Sequence, residues 1–122
     1  MNMLREQLER VRLRAVWSWH GFVHVWQTEG SLSQWIIVNV GSALMVFILP
    51  LSAPERGMIL MGGIMILAAE CMNTAIERVV DDISEEKRDR AKQAKDAGSA
   101  AVAVTAVAVG VAWVCVICGL IW

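Results

Sequence analysis

The chain has 122 residues, of which 57% are hydrophobic and 19% charged, so it is one domain that is more apolar than soluble domains of this size. The excess apolar surface must therefore face lipid or a partner. A formal net charge of −1, with the charges in separate blocks, excludes the continuous basic surface that nucleic-acid binding requires.

Residues 1–30 are predicted to form an amphipathic helix that lies in the membrane interface. Leu4, Leu8 and Val11 recur at helical spacing among charged residues. Three tryptophans extend the apolar face, either as anchors at headgroup depth or as substrate contacts: Trp17, Trp19 and Trp26. His20 and His24 lie one turn apart, but no third ligand has matching spacing, so we interpret them as interfacial polar residues rather than a metal site.

Three apolar stretches follow, and each is long enough to cross a membrane as a helix. The predicted spans are about residues 35–51, 57–80 and 97–121. Pro50 and Pro54 interrupt the helical pattern between the first two spans and predict a short outer connection. The third span has no charged residue and is rich in small residues that allow close helix packing.

Basic residues are distributed unequally about these spans. Every Lys and Arg except Arg56 lies before the first span or between Arg78 and Lys95. Because positively charged segments stay in the cytoplasm, the N-terminus and a cytoplasmic loop of residues 81–96 are predicted to lie inside, and the C-terminus outside. The predicted architecture is an all-α integral membrane protein with one surface helix and three transmembrane helices.

The second span carries an acidic stripe, which is unusual at membrane depth. Glu70, Asn73 and Glu77 occur at i, i+3 and i+7 and share one helix face, which Asp81 continues. The stripe could be a polar contact between helices, but carboxylates without a basic partner among them repel each other unless a proton or cation intervenes. Mg²⁺ commonly takes one or two carboxylates together with substrate phosphates. The stripe therefore favours phosphoryl transfer.

The predicted cytoplasmic loop adds a basic group near the start of the third span. Lys95 and Asp96 precede Gly98 and Ser99. Lys95 could bind phosphate oxygens or could be an ordinary snorkelling lysine, and the charges of residues 85–90 could form a solvated face. The sequence has no G-x-x-x-x-G-K-[ST] loop and no H-R-D, D-F-G or H-E-x-x-H motif, so a kinase here would need another scaffold.

The cysteines do not change this interpretation. Cys71, Cys115 and Cys118 all lie in apolar runs without a spaced disulfide framework. The Cys115-x-x-Cys118 pair has apolar flanks, no nearby His and no second Cys pair. We therefore interpret these thiols as packing residues rather than as a redox or zinc site.

Together these residues resemble the prokaryotic integral membrane diacylglycerol kinase family, which includes undecaprenol kinases. The resemblance covers nearly the whole chain and is carried by Ser18-Trp19-x-Gly21, Glu29, Glu70-x-x-Asn73-Thr74-Ala75-Ile76-Glu77-x-Val79-Val80-Asp81 and Ala94-Lys95-Asp96-x-Gly98-Ser99-Ala100-Ala101-Val102. It implies a homotrimer with shared active sites that uses MgATP to phosphorylate diacylglycerol to phosphatidic acid. The implied location is the cytoplasmic face of the bacterial inner membrane.

The resemblance also implies roles for individual residues. Glu70 is expected to be the general base, Glu29 and Glu77 the Mg²⁺ ligands, and Asn73 a support for this group. The implied ATP contacts are Arg10, Trp17, Glu29, Glu77, Glu86, Lys87, Arg88, Lys95 and Asp96. The implied lipid contacts are Arg10, Arg14, Ala15, Val16, Trp17, Ser18, Trp19, Val23, His24, Val25, Trp26, Ser31, Leu32, Ser33, Gln34, Trp35, Ile48, Arg56, Glu70, Ser99, Trp113, Val114, Cys115, Val116, Ile117 and Cys118.

The chain departs from the family pattern beside the implied lipid entrance. Leu32-Ser33-Gln34-Trp35 replaces the usual Phe-Arg-x-Glu, and His20 replaces a common Lys. An undecaprenol kinase with the same core motifs is the alternative within the family. A small oligomeric cation channel lined by Glu70 and Glu77 would also explain the acidic stripe, but it leaves the Lys95-Asp96-x-Gly98-Ser99 motif without a purpose. A structural membrane subunit is a further alternative, and it predicts that Glu70→Gln changes little.

Overall fold

The computed structural model describes residues 2–122 as four α-helices in chain order: α1 (Asn2–Thr28), α2 (Gly30–Ile48), α3 (Ala53–Ile83) and α4 (Asp89–Ile121). Helices α2, α3 and α4 are long and apolar enough to cross a membrane. At a rise of about 1.5 Å per residue, even the 19 residues of α2 reach about 28 Å, close to the ~30 Å of a hydrocarbon core. The expected all-helical chain with three membrane-length helices is confirmed, whereas the interfacial position of α1 stays a prediction.

Helix α3 begins earlier than the predicted second span. Only residues 49–52 separate α2 from α3. Pro54 is accommodated because it lies in the first turn of α3, where its missing N–H would have no helical partner. The Glu55 carboxylate accepts a hydrogen bond from the backbone N–H of Ser52 at 2.7 Å, which fixes this helix start.

The predicted cytoplasmic loop, residues 81–96, is mostly helical. Helix α3 continues to Ile83 and α4 begins at Asp89, so residues 84–88 form the whole connection. On either side of this connection the charged segment stays helical, and Lys95 of α4 pairs with Asp81 of α3. Lys92 and Asp96 form an i, i+4 ion pair at 2.7 Å, a spacing that supports a helix.

Helix α3 is the centre of the chain. Its contact with α4 is the most extensive and that with α2 the next, whereas α1 touches α2 and α3 only lightly. A small apolar core joins the three long helices near the α2–α3 connection, where Val46, Leu51, Ile59 and Val116 are buried. Small residues allow close packing: a Cβ atom added to Gly62 of α3 would lie 2.7 Å from Cγ2 of Val109 in α4.

Large apolar side chains cover much of the outer surface of the long helices. Ile37 and Phe47 of α2, Ile64 of α3 and Val107 of α4 are among the exposed examples. A soluble monomer rarely exposes so much contiguous apolar surface. The surface is that of a chain whose neighbours are lipid tails or other helices.

Candidate functional site

The acidic stripe of α3 faces a cleft of about 390 Å³ that α4 and the start of α2 also line. We call it the carboxylate cleft. Its lining residues are Glu29, Ser31, Trp35, Glu70, Asn73, Thr74, Glu77, Ser99, Val102 and Ala103. The one-face arrangement predicted from the i, i+3, i+7 spacing is therefore present, and the fold adds Glu29, which lies far from α3 in the sequence.

Glu70 lies in the buried part of this cleft. Its exposed fraction is 4%, and that of Thr74, one turn later on the same face, is 2%. Within residues 2–122, Glu70 is the one charged residue that is buried. An ionisable group held away from water at membrane depth is expensive unless a proton or cation compensates it, and such groups commonly mark functional sites.

Asn73 brings its side-chain amide next to the Glu77 carboxylate. Its Nδ2 donates a hydrogen bond to Oε1 of Glu77 at 3.3 Å. Its Oδ1 is buried and has no hydrogen-bond partner among the described residues. Gly98 of α4 leaves the space that this amide occupies, since a Cβ atom there would collide with Oδ1. A buried acceptor without a donor beside two carboxylates suits a hard cation, which prefers oxygen ligands.

Glu29 reaches the cleft from the junction between α1 and α2. It is the single residue between the two helices and has an extended backbone, with φ −116° and ψ 114°. Arg78 of α3 approaches this junction: one guanidinium nitrogen donates to Oγ1 of Thr28 at 2.5 Å and to Oε1 of Glu29 at 3.3 Å. Sequence reasoning counted Arg78 only as a cytoplasmic charge, and no local pattern links it to residue 29.

A second cleft, of about 360 Å³, lies where α3, the 84–88 connection and α4 meet. We call it the loop cleft. It collects many of the implied ATP contacts, and its lining residues are Val80, Asp81, Ser84, Glu85, Glu86, Lys87, Arg88, Asp89, Ala91, Lys92, Lys95 and Asp96. Asp81, expected to continue the acidic stripe, lies here instead.

Lys95 is paired across the loop cleft. Its ammonium group donates to both carboxylate oxygens of Asp81, at 2.6 and 2.8 Å. Asp96 accepts a hydrogen bond from Lys92, and this bond together with the carboxylate charge raises the pKa of the Lys92 ammonium group. Lys92 and Lys95 thus both line the loop cleft, and each is paired with a carboxylate.

The two clefts do not include all the residues singled out in the sequence. Arg10 and Trp17 lie on exposed parts of α1 and line neither cleft. Besides Glu70, three apolar residues among the implied lipid contacts are buried inside the chain: Val25, Leu32 and Val116. They pack the helices rather than offer a free surface.

Other implied lipid contacts lie far along the chain from the carboxylates. Ile48 is exposed at the end of α2, and the guanidinium of Arg56 lies 5.8 Å from the ring centroid of Phe47. Trp113 of α4 donates its indole N–H to Oγ of Ser42 in α2 at 3.0 Å. These residues organise the region of the α2–α3 connection, which the carboxylate cleft does not include.

The donors of the carboxylate cleft suit a cation that keeps part of its water. No group of three or more His, Cys, Asp and Glu side chains that could hold a metal occurs in the described part of the chain. Glu29 and Glu77 offer two carboxylates, and the amide oxygen of Asn73 is a third oxygen donor. Mg²⁺ fits such a set, because it commonly binds one or two carboxylates and completes its shell with water and substrate phosphates.

A model of the family described as prokaryotic diacylglycerol kinase matches residues 16–117, which contain both clefts. The chain belongs to this family. A diacylglycerol kinase of Pseudomonas aeruginosa is 32% identical over 112 residues, which cover 92% of this chain and 91% of the relative. The resemblance found in the sequence motifs is thus confirmed. Membership of the prokaryotic diacylglycerol kinase family favours a kinase over a channel or a structural subunit.

Proposed function

We propose that the chain is a lipid kinase that transfers the γ-phosphoryl group of ATP to diacylglycerol, giving phosphatidic acid, at the cytoplasmic face of the bacterial inner membrane. The observation that carries the proposal is the burial of Glu70 in a cleft with Glu29, Asn73 and Glu77. Family membership supplies the reaction class. The loop cleft is lined by both acidic and basic side chains, and its four basic residues, Lys87, Arg88, Lys92 and Lys95, offer donors to the phosphates of a nucleotide.

Glu29 and Glu77 would hold Mg²⁺, with Asn73 fixing the Glu77 carboxylate through its amide. When bound, the ion would offset negative charge on the phosphate oxygens and help align the donor. Lys95 would exchange its contact with Asp81 for one with the nucleotide phosphates, because an ammonium ion binds either oxyanion. These residues would act mainly by positioning and by charge stabilisation.

Glu70 would accept the proton of the lipid hydroxyl group. The hydroxyl oxygen forms the new bond to the γ-phosphorus as the bond to the β–γ bridging oxygen breaks, and ADP leaves with that electron pair. Loss of a general base typically lowers the rate by about 10² to 10⁴. Burial of Glu70 keeps this carboxylate away from competing water.

We propose further that the enzyme is a homotrimer whose sites are shared between subunits. Arg10 and Trp17 line neither cleft within one chain, and a neighbouring subunit could bring its surface helix over the site. The long helices expose large apolar side chains that such neighbours or lipid would cover.

One observation favours undecaprenol as a second candidate acceptor. Trp35 lines the carboxylate cleft at the position where the family commonly has an acidic residue. An indole in the lining of this cleft favours contact with a long apolar alcohol. Both acceptors present a hydroxyl group to Glu70, so the chemistry of the site is the same for either.

The test is phosphate transfer from labelled ATP by the purified protein in mixed micelles, with diacylglycerol and undecaprenol offered in parallel. We expect labelled lipid from the wild type, and a fall of about 10² to 10⁴ in turnover for Glu70→Gln. Glu70→Gln should still bind a non-hydrolysable ATP analogue, because Glu70 is assigned to the lipid hydroxyl. Absence of transfer to both lipids would contradict the kinase proposal and favour a channel or structural subunit.

A further inference from the structure

The two helices that flank Glu29 do not orient its side chain. Glu29 occupies the N-cap position of α2, but its side chain makes no cap hydrogen bond there. Its extended backbone separates α1 from α2, so neither helix continues through it. The direction of this carboxylate must therefore depend on contacts from elsewhere in the fold.

Arg78 supplies these contacts from α3. The guanidinium nitrogen that donates to Glu29 also donates to the hydroxyl group of Thr28. That hydroxyl group in turn donates to the backbone oxygen of His24 at 2.8 Å, within the last turn of α1. Arg78 thus joins the end of α1 and the start of α2 to the helix that carries Glu70 and Glu77. This tie matters because α1 otherwise touches the chain only lightly.

We propose that Arg78 is a positioning residue that fixes the α1–α2 junction and orients Glu29 for Mg²⁺, an inference that rests on the proposed role of Glu29 as a metal ligand. The contact involves only Oε1 of Glu29, so the other carboxylate oxygen stays available to a cation. Hydrogen-bonded partners of this kind orient the carboxylates that bind metals.

The contact between Arg78 and Glu29 is weak enough for the arginine to orient Glu29 without competing with the metal. Strong charge-assisted N–H···O bonds are about 2.7–2.9 Å long, whereas Arg78 and Glu29 are 3.3 Å apart. Both side chains are partly exposed, 39% for Arg78 and 32% for Glu29, so water screens their attraction. A cation with two positive charges can therefore bind Glu29 without first breaking a strong ion pair.

The test is a titration with Mn²⁺, a paramagnetic substitute for Mg²⁺, monitored by electron paramagnetic resonance on the detergent-solubilised protein with a non-hydrolysable ATP analogue. Arg78→Ala should raise the half-saturating Mn²⁺ concentration about tenfold or more. In the transfer assay it should raise the Mg²⁺ requirement more than it lowers turnover at saturating Mg²⁺. Arg78→Lys should lie between, since a lysine keeps the charge but not the planar fork.

Two further variants are compared with Arg78→Ala. Arg90→Ala removes an arginine of α4 that lines neither cleft and should leave Mn²⁺ binding unchanged. Thr28→Val removes the hydroxyl link while leaving Arg78 and Glu29 in place, and it should weaken Mn²⁺ binding in the same direction. If Arg78→Ala does not fold, Arg78→Lys and Thr28→Val carry the test.

Glu29→Gln separates the inference from its premise. If Glu29→Gln weakens Mn²⁺ binding but Arg78→Ala leaves it unchanged, the positioning role is overturned while the proposed metal ligand stands. Tighter Mn²⁺ binding by Arg78→Ala would overturn it too, because the arginine would then compete with the cation. If Glu29→Gln binds Mn²⁺ as well as the wild type, both the ligand role of Glu29 and the inference fail.

Discussion

Gly98 and Asn73 meet where α4 passes the carboxylate cleft. The absence of a side chain at Gly98 gives the Asn73 amide its place, and that amide donates to Glu77. Glycine disfavours a helix by about 1 kcal/mol relative to alanine, but at position 98 it lets α4 lie close to the Asn73 side chain. The position of Glu77 in the site therefore depends on a residue of the neighbouring helix.

Gly98→Ala is expected to damage both the fold and the site. The added methyl group would collide with Oδ1 of Asn73, and overpacking of this kind costs about 1–3 kcal/mol. We expect a lower thermal unfolding midpoint in detergent and a reduced turnover in the transfer assay. Gly110→Ala is the matched control on α4, because a Cβ atom there meets nothing within 4 Å. Equal behaviour of the two variants would contradict the close-approach argument.

At the scale of elements, α3 combines two tasks. Its cytoplasmic half, in the predicted orientation, presents Glu70 and Glu77 to the carboxylate cleft, and its other half packs Ile59 into the apolar core. Helices α2 and α4 are joined to each other by the hydrogen bond from Trp113 to Ser42. An indole N–H in this apolar region has no water as an alternative partner, so the bond contributes to the packing of the helices.

Ser42→Ala is expected to destabilise the bundle by about 1 kcal/mol, a value typical of hydrogen bonds between transmembrane helices. The measurement is thermal or denaturant unfolding in detergent, monitored by circular dichroism. In the Trp113→Phe background the same serine substitution should have almost no effect, because its donor is gone. Equal losses in the two backgrounds would show that the Ser42 hydroxyl group acts through some other contact.

At the scale of the whole molecule, the predicted nucleotide contacts of a single chain do not all lie together. The carboxylate and loop clefts lie within one chain, whereas Arg10 and Trp17 of α1 lie outside both. The exposed apolar faces of the long helices also require neighbours. A symmetric trimer would satisfy both needs, because each surface helix could then reach an adjacent site.

Mixed trimers provide the test of shared sites. Glu70→Gln and Arg10→Ala subunits should each be weakly active alone. If Arg10 acts on the Glu70 site of a neighbour, random mixing should restore about one quarter of the wild-type sites, because each site then draws on two subunits. The measurement is phosphate transfer after the two variants are unfolded, mixed and refolded together. No gain over the separate variants would place both residues in the site of one chain.

The sequence by itself determined the helical elements, the three membrane-length segments and the shared face of Glu70, Asn73 and Glu77. These features could be predicted because the helix repeat and the length of an apolar run depend only on residues that are neighbours in the sequence. The helix ends were less predictable. Pro54 and the charges around Lys92 indicated breaks, yet first-turn geometry and ion pairing keep these segments helical.

Only the tertiary structure decided which distant groups meet. The contacts of Arg78 with Glu29, of Lys95 with Asp81 and of Trp113 with Ser42 join residues on different helices, and no local pattern specifies their pairing. The cause is physical: these contacts depend on the angles and registers at which whole helices pack, which are set by the combined shape of many side chains rather than by any one motif.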